Sequence, residues 1–157
     1  MYEPGIVIRK VEEKDVDQLS GLIYRFYLFN EEFDPAWSMV EDAREKARKI
    51  AESYANGQGY TLIAQFEDRI VGFIHAEIIE KPMLASGRIG VIKELYVIPQ
   101  FRGQGIATKL VDKLQDMLKG NNVYYIAAEF PSANVVAEGF YRSRKFRPYT
   151  SLYLREV

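Results

Sequence analysis

Lys93-Glu94-Leu95-Tyr96-Val97-Ile98-Pro99-Gln100-Phe101-Arg102-Gly103-Gln104-Gly105-Ile106-Ala107-Thr108-Lys109-Leu110 is the stretch on which the reading of this chain turns. Its first third is rich in β-branched and aromatic residues and completes a strand predicted over residues 89–98. Beyond Pro99, apolar residues recur at helical spacing (Ile106, Leu110, Leu114, Met117, Leu118), which predicts a helix running to Lys119 and closed by Gly120. Between strand and helix, Gly103 and Gly105 let the backbone turn tightly and aim several N–H groups one way. Unsatisfied N–H groups and the helix dipole both favour negative charge at such a junction, and Arg102 adds a permanent positive one. A diphosphate suits it.

Working outward, residues 5–11 read as a first strand and 15–30 as a helix, with Val16, Leu19, Ile23, Phe26 and Tyr27 on one face. Pro35 breaks that helix, and a second is expected over 38–54, with its other face charged and solvated. Residues 60–66 and 70–79 read as strands joined by a tight turn at Glu67-Asp68-Arg69, and 81–87 as a loop. Past the central helix come a strand over 123–129, a short helix over 134–143 and a last strand over 146–155. Antiparallel strands in the middle and a late strand-helix-strand crossover give a mixed α/β (α+β) fold, a sheet flanked by helices.

Composition narrows the chemistry. The 157 residues suffice for one domain, 1–157, with a proper core. Lys and Arg number 21 against 22 Asp and Glu, a formal net charge of -1, so no basic footprint for nucleic acid exists. With 0 Cys and 1 His, a disulfide framework, a cysteine nucleophile and most zinc sites are excluded. Met1-Tyr2-Glu3-Pro4 lacks the basic and apolar regions of a secretory signal, and no apolar run is long enough to span a membrane. A soluble, cytoplasmic protein is the expectation.

Three phosphate-binding designs compete for the glycine turn. A P-loop needs Gly-Lys followed by Ser or Thr, and that string is absent. The dinucleotide fingerprint is half met by Gly103 and Gly105, with Glu129 near the acidic position, but Thr108 stands at the third glycine and too few strands follow. The third design carries a resemblance. Residues 93–110 closely resemble the acetyl-CoA-binding motif of the GNAT N-acetyltransferase superfamily, Arg/Gln-x-x-Gly-x-Gly/Ala, here Arg102, Gly105 and Ala107. Asn134-x-x-Ala137-x-x-Phe140-Tyr141 resembles the Asn…Ala…Tyr segment of the family's last helix, although Lys145-Phe146 replaces the usual Gly-Phe after it.

The resemblance implies a mostly antiparallel sheet of six to seven strands flanked by about four helices, covering essentially the whole chain. It implies acetyl-CoA as co-substrate, without a metal. The pyrophosphate would be held by the backbone of Gln104, Gly105, Ile106, Ala107, Thr108 and Lys109, with Arg102 and Gly103 shaping the turn. The pantetheine arm would lie along Leu95, Tyr96, Val97 and Ile98 like an added strand, and Asn134 would bind the arm. An amine of pKa near 10.4 is nucleophilic in only about one molecule in 10^3.4 at pH 7, a handicap of roughly 4.6 kcal/mol. A general base must remove its proton. Glu94 is the candidate, with Glu129 and Glu77 as weaker alternatives, whereas His75 reads as a packed histidine. Tyr141 is the candidate donor to the departing thiolate, an uphill transfer of only roughly 2 kcal/mol in water. Lacking a cysteine for an acyl-enzyme, the chain is expected to use direct attack in a ternary complex. The acceptor would be a small amine, a polyamine or a protein amine, met by an acidic, aromatic rim of Glu31, Glu32, Phe33, Asp34 and Trp37. Set against this enzyme is a module that binds acetyl-CoA as a regulatory ligand without turnover. Dimerisation is common among similar proteins, and a homodimer is compatible with the resemblance.

Overall fold

A computed structural model describes residues 5–157; the stretch Met1-Tyr2-Glu3-Pro4, read above as lacking a leader, lies outside them. One sheet runs in the order β1 (Ile6–Lys10), β2 (Tyr60–Phe66), β3 (Arg69–Glu80), β4 (Arg88–Val97) and β5 (Tyr125–Ala128). The first four are antiparallel neighbours and β5 joins β4 in parallel. Between β1 and β2 come α1 (Val16–Asn30) and α2 (Ala43–Ala55), which pack on each other, with α1 also against β3 and β4. The crossover helix α3 (Ile106–Lys119) packs on β1 through β4, and α4 (Val135–Ser143) follows β5. Residues 61–64 of β2 are buried without alternation, as in a strand covered on both faces, and α3 packs against it. Among the described residues no helix is long and apolar enough to cross a membrane.

The mixed architecture matches expectation; the strand count does not. Among the described residues the sheet has five strands rather than six to seven, because the segment predicted as a last strand over 146–155 pairs with none of them. Strand formation needs a neighbour to take its N–H and C=O groups, and local pattern cannot supply one. The second helix begins at Ala43 rather than 38. Upstream of it, Asp34 accepts the Ala36 N–H and Glu31 accepts the Met39 N–H, so side chains satisfy backbone that would otherwise seek a helix. The turn between β2 and β3 is the expected tight one, Phe66 pairing with Arg69, and Glu67 takes φ 53° where glycine would fit more easily.

A buried ion pair pins β1 to the start of α1. Both terminal nitrogens of Arg9 donate to Asp15, each at 2.8 Å, and Asp15 also accepts the Glu12 N–H at 2.7 Å. Burial pushes the Asp15 carboxyl up, but Arg9 and that N–H outweigh it and hold it below the usual carboxylate range.

Candidate active site

The parallel pairing of β4 with β5 stops early. It runs from Ile89 opposite Tyr125 to Ile92 opposite Ala128, closing with the Glu129 N–H on the Ile92 carbonyl at 3.0 Å, while β4 continues to Val97. The divergence coincides with a bulge: His75 faces Glu94 and Ala76 faces Ile92, so Lys93 is the extra residue. Lys93 reaches across to Glu129 at 3.2 Å. Past the bulge, one edge of β4 is open. Ile98 donates to the Val71 carbonyl, and main-chain groups alternate sides, so Leu95 and Val97 face the opening while Tyr96 and Ile98 face β3. Val97 already gives its carbonyl to Arg102 Nε at 2.8 Å. Of the four positions expected to line the pantetheine track, two therefore turn main-chain groups towards it.

At the far end of that edge stands the N-terminus of α3. Gly103 and Gly105 adopt φ 77° and 83°, the left-handed region that glycine enters without strain. Gly105 occupies the cap position, no side chain caps the helix, and no acidic residue stands in its first turn. The leading amides of Ile106, Ala107 and Thr108 thus have no carboxylate in the first turn or at the cap. Arg102 is committed to shape rather than to solvent: besides its bond to Val97, its guanidinium lies over Tyr96 and Phe29. Nothing in the residue pattern points to Arg144. It follows α4 yet donates to Thr108 Oγ1 through both Nε and Nη2, placing a cation beside the first turn of α3.

Glu94 lies under α1 and α2, buried, with each carboxylate oxygen taken. Tyr27 donates to Oε2 and Tyr54 to Oε1, both at 2.6 Å, the length of a hydrogen bond to an ionised carboxylate. Burial nevertheless holds the Glu94 carboxyl above its usual range. Burial, and then the neighbouring Glu94 charge, push both phenols up, so they stay protonated donors. Neither tyrosine is legible as a site residue from sequence. They lie 67 and 40 positions from Glu94, and only the helical faces that carry them hint at their role. His75 is packed, as expected. Its ring stacks on Tyr54 with centroids 3.7 Å apart, its Nδ1 meets Thr61 Oγ1 at 2.7 Å, and burial pushes it down towards the neutral form. Gly59 makes room for it, since a Cβ there would meet the His75 ring at 2.5 Å.

Tyr141 is buried in α4 between Phe130, Phe140 and Phe146, with ring centroids 5.6, 5.1 and 5.1 Å away. Among the described residues its hydroxyl has no hydrogen-bond partner, and burial pushes it up, so it is a protonated donor with nothing yet to donate to. The helix end that holds it is built from the departure noted in the sequence. Lys145 takes φ 70°, its N–H bonds the Arg142 carbonyl, and the Phe146 N–H bonds the Tyr141 carbonyl, each at 3.0 Å. This is a Schellman ending with lysine in glycine's place, so the replacement leaves the turn intact. Asn134 caps α4, accepting the Ala137 N–H at 3.0 Å and donating to Asn30 Oδ1 at 2.9 Å.

Beside Tyr27, between α1, α2 and the segment joining them, opens a cavity of about 430 Å³. Tyr24, Tyr27, Trp37, Met39, Val40 and Ile50 line it, and Tyr27 and Trp37 stack at 6.1 Å. The expected acidic rim is not there. Glu31 and Asp34 are spent on backbone amides, and the charged residue at this cavity is Lys46.

Comparison with known proteins bears on the family and the fold. The profile described as Acetyltransferase (GNAT) family matches residues 24–146. An uncharacterized N-acetyltransferase of Archaeoglobus fulgidus is 24% identical over 140 residues, 89% of this chain and 92% of that one. N-alpha-acetyltransferase 30 of Schizosaccharomyces pombe is 32% identical over 96 residues, covering 60% of this chain and 61% of its own length. Among solved structures, a predicted acetyltransferase of Clostridium acetobutylicum with acetyl-CoA superimposes with a TM-score of 0.74 at 23% identity, covering 96% of each chain. An aminoglycoside N-acetyltransferase in complex with CoA gives 0.75 at 16% identity, covering 96% of this chain and 94% of the other.

Proposed function

Because the chain belongs to the GNAT acetyltransferase family, and is thereby an acetyl-CoA-dependent N-acetyltransferase, we propose that it acetylates a primary amine borne on an apolar group, by direct attack in a ternary complex. The observation that carries this reading is Tyr27, which lines the apolar cavity and at the same time donates to Glu94. An apolar side chain seated against Trp37 and Met39 puts its amine at the Tyr27 hydroxyl. Proton transfer then runs from amine to Tyr27 oxygen, or a water beside it, while Tyr27 gives its own proton to Glu94. Glu94 is the base although it does not itself line the cavity.

On the other side, the α3 amides and the open edge of β4 hold the co-substrate, which supplies the activated acetyl group. Arg102 and Asn134 act there by fixing the turn and α4, and Arg144 adds charge beside Thr108. Tyr141 donates to the sulfur as the thiolate leaves. Its raised pKa keeps the proton in place until a strong acceptor forms.

An amino terminus of a protein or peptide with a large apolar first side chain fits the cavity better than an aminoglycoside or a polyamine, whose many cations would meet Lys46 and no carboxylate among the lining residues. The test follows thiol release from acetyl-CoA with peptides that differ only in their first residue, alongside polyamines. Apolar first residues should give kcat/KM at least tenfold above Gly or Asp. Tyr141→Phe should lower kcat about 10²–10³-fold with little change in CoA affinity, in the range that removal of one stabilising donor commands. Equal rates with every amine would refute the cavity's role. Saturable CoA binding with no thiol released for any amine would instead make this a ligand-binding module.

A further inference from the structure

His75 is buried at the centre of the site, and the transfer as described makes no use of it. It stands opposite Glu94 in the register of β3 and β4, yet the side chain it stacks on is Tyr54. The two rings lie face to face, 3.7 Å between centroids and 9° from parallel. A histidine is costly to bury unless both ring nitrogens find partners. Here both do. Thr61 Oγ1 on β2 lies 2.7 Å from Nδ1, and Glu77 Oε2 lies 3.3 Å from Nε2. A carboxylate accepts and cannot donate, so Nε2 carries the proton and Nδ1 accepts from the Thr61 hydroxyl. Two such bonds fix the plane of the imidazole, and with it the face turned to Tyr54. Gly59 closes in from another side, where a Cβ would stand 3.0 Å from Nε2.

Tyr54 needs that support more than Tyr27 does. Leu28, Phe29 and Asn30 follow Tyr27 within α1, whereas only Ala55 follows Tyr54 in α2. The last carbonyls of a helix lack partners within it, and its final turn frays most readily. Rotation of a phenol about its long axis leaves the hydroxyl in place, because the oxygen lies on that axis. A swing of the ring along its normal would carry the oxygen off Glu94, and on one face the imidazole blocks that swing.

We propose, on the reading of Glu94 as the base, that His75 is a positioning residue: its anchored ring holds the Tyr54 hydroxyl on Glu94 Oε1 and so fixes how readily Glu94 takes a proton. The other charges around the pair come from several elements. Tyr27 on α1, Glu77 on β3 and Lys93 on β4 act on Glu94, and Glu129 on β5 acts on Tyr27. All of them keep their charge when His75 is replaced by a neutral residue, so the effect on Glu94 runs through Tyr54.

His75→Leu fills a similar volume and keeps water out, but offers neither a flat face nor an anchor. Glu94 is titrated by carbon NMR of protein labelled at its glutamate carboxyls, the signal being assigned by its loss in Glu94→Gln. Thiol release gives the acid limb of kcat/KM alongside. His75→Leu should weaken the Glu94 acid about tenfold, moving its titration up by about one pH unit. Thr61→Val, which frees Nδ1 alone, should move it the same way by less, and it serves as the test if His75→Leu does not unfold cooperatively. In a Tyr54→Phe protein, His75→Leu should move the titration no further. An unmoved titration in both His75→Leu and Thr61→Val, or an undiminished shift in the Tyr54→Phe protein, would overturn the positioning role. A titration that moves while the kcat/KM limb stays put would uphold that role and remove Glu94 as the base.

Discussion

Replacing Tyr54 by Phe removes a single oxygen from the environment of Glu94 and leaves the ring stacked on His75. That oxygen stands 2.6 Å from Glu94 Oε1, mirrored by Tyr27 at 2.6 Å from Oε2. A hydrogen bond to a charged group contributes roughly 1.5–3 kcal/mol, and a tenfold change in acidity corresponds to about 1.36 kcal/mol. Losing one donor should therefore weaken the Glu94 acid by about ten- to a hundredfold. The sign follows from which form the donor favours: it stabilises the carboxylate, so its loss favours the protonated acid and the base appears only at higher pH. Burial already holds Glu94 above its ordinary value, and the loss moves the acid limb of kcat/KM further to higher pH. On that limb the variant should be slower by the same factor, about ten- to a hundredfold, while at high pH it recovers to within a few-fold of wild type. The amine's own ionisation, near 10.4, is common to both proteins and cancels in the comparison. The assay is thiol release with one apolar-capped peptide between about pH 5.5 and 9.5, at fixed ionic strength. Tyr27→Phe should move the limb likewise and also lower the plateau, because Tyr27 lies on the proton's path. An unmoved limb in a Tyr54→Phe protein that unfolds cooperatively would show that Glu94 is not the ionisation that limits transfer.

Gly105→Glu places a carboxylate at the cap of α3 and forces a side chain into φ 83°; CoA affinity by calorimetry should fall at least 100-fold, roughly 2.7 kcal/mol. The acid caps the helix itself, so helicity by circular dichroism should be retained. Lys145→Gly relieves φ 70° at the end of α4 and should stabilise by about 1 kcal/mol, raising Tm by roughly 2–4 °C; a lower Tm would mean the turn is not left-handed. Arg9→Ala strands Asp15 as a buried charge at a site that is partly open to water, and should cost roughly 2–3 kcal/mol near pH 7 by denaturant melts. Because Asp15 is held below its unfolded value, its stabilisation is present above about pH 4 and is lost as pH falls through the folded value, so wild type and variant should converge in acid.

Much of this is legible in the residues because it is local. The turn at 103–105 needs only the positive φ that two glycines permit, and α3 needs only the period of Ile106, Leu110, Leu114 and Leu118. The capping role of Asn134 is likewise a matter of three residues. What resists reading is non-local. Glu94 stands out as a carboxylate on the right strand, but its two phenolic donors come from separate helices and meet it only after packing. Glu31, Glu32 and Asp34 resemble a cation-binding rim because sequence shows charge but not where an oxygen is spent, and two of them are spent on backbone amides. The segment over 146–155 has the composition of a strand and still forms none, since a strand exists only with its neighbour.

The two sides of the reaction rest on different layers, and this constrains how they can be aligned. The two tyrosines that meet Glu94 and the proposed acceptor cavity belong to α1 and α2; the glycine turn and Tyr141 belong to α3 and α4. Two features join these halves near the chemistry. One is β4, which carries Glu94 towards the tyrosines and turns Leu95 and Val97 to the opening just past the Lys93 bulge. The other is the buried amide pair Asn30–Asn134, linking the last turn of α1 to the cap of α4 at 2.9 Å, with Asn30 itself anchored on the Phe26 carbonyl. A nucleophile approaching from Tyr27 and a sulfur leaving towards Tyr141 must line up across that seam, and a displacement of 1 Å at a reacting centre can cost about 100-fold. The position of the proposed thiolate donor is thus tied to the proposed acceptor side through Asn30, and this gives a reason why Asn134, which resembles a cofactor ligand, has both functions of its amide turned inward.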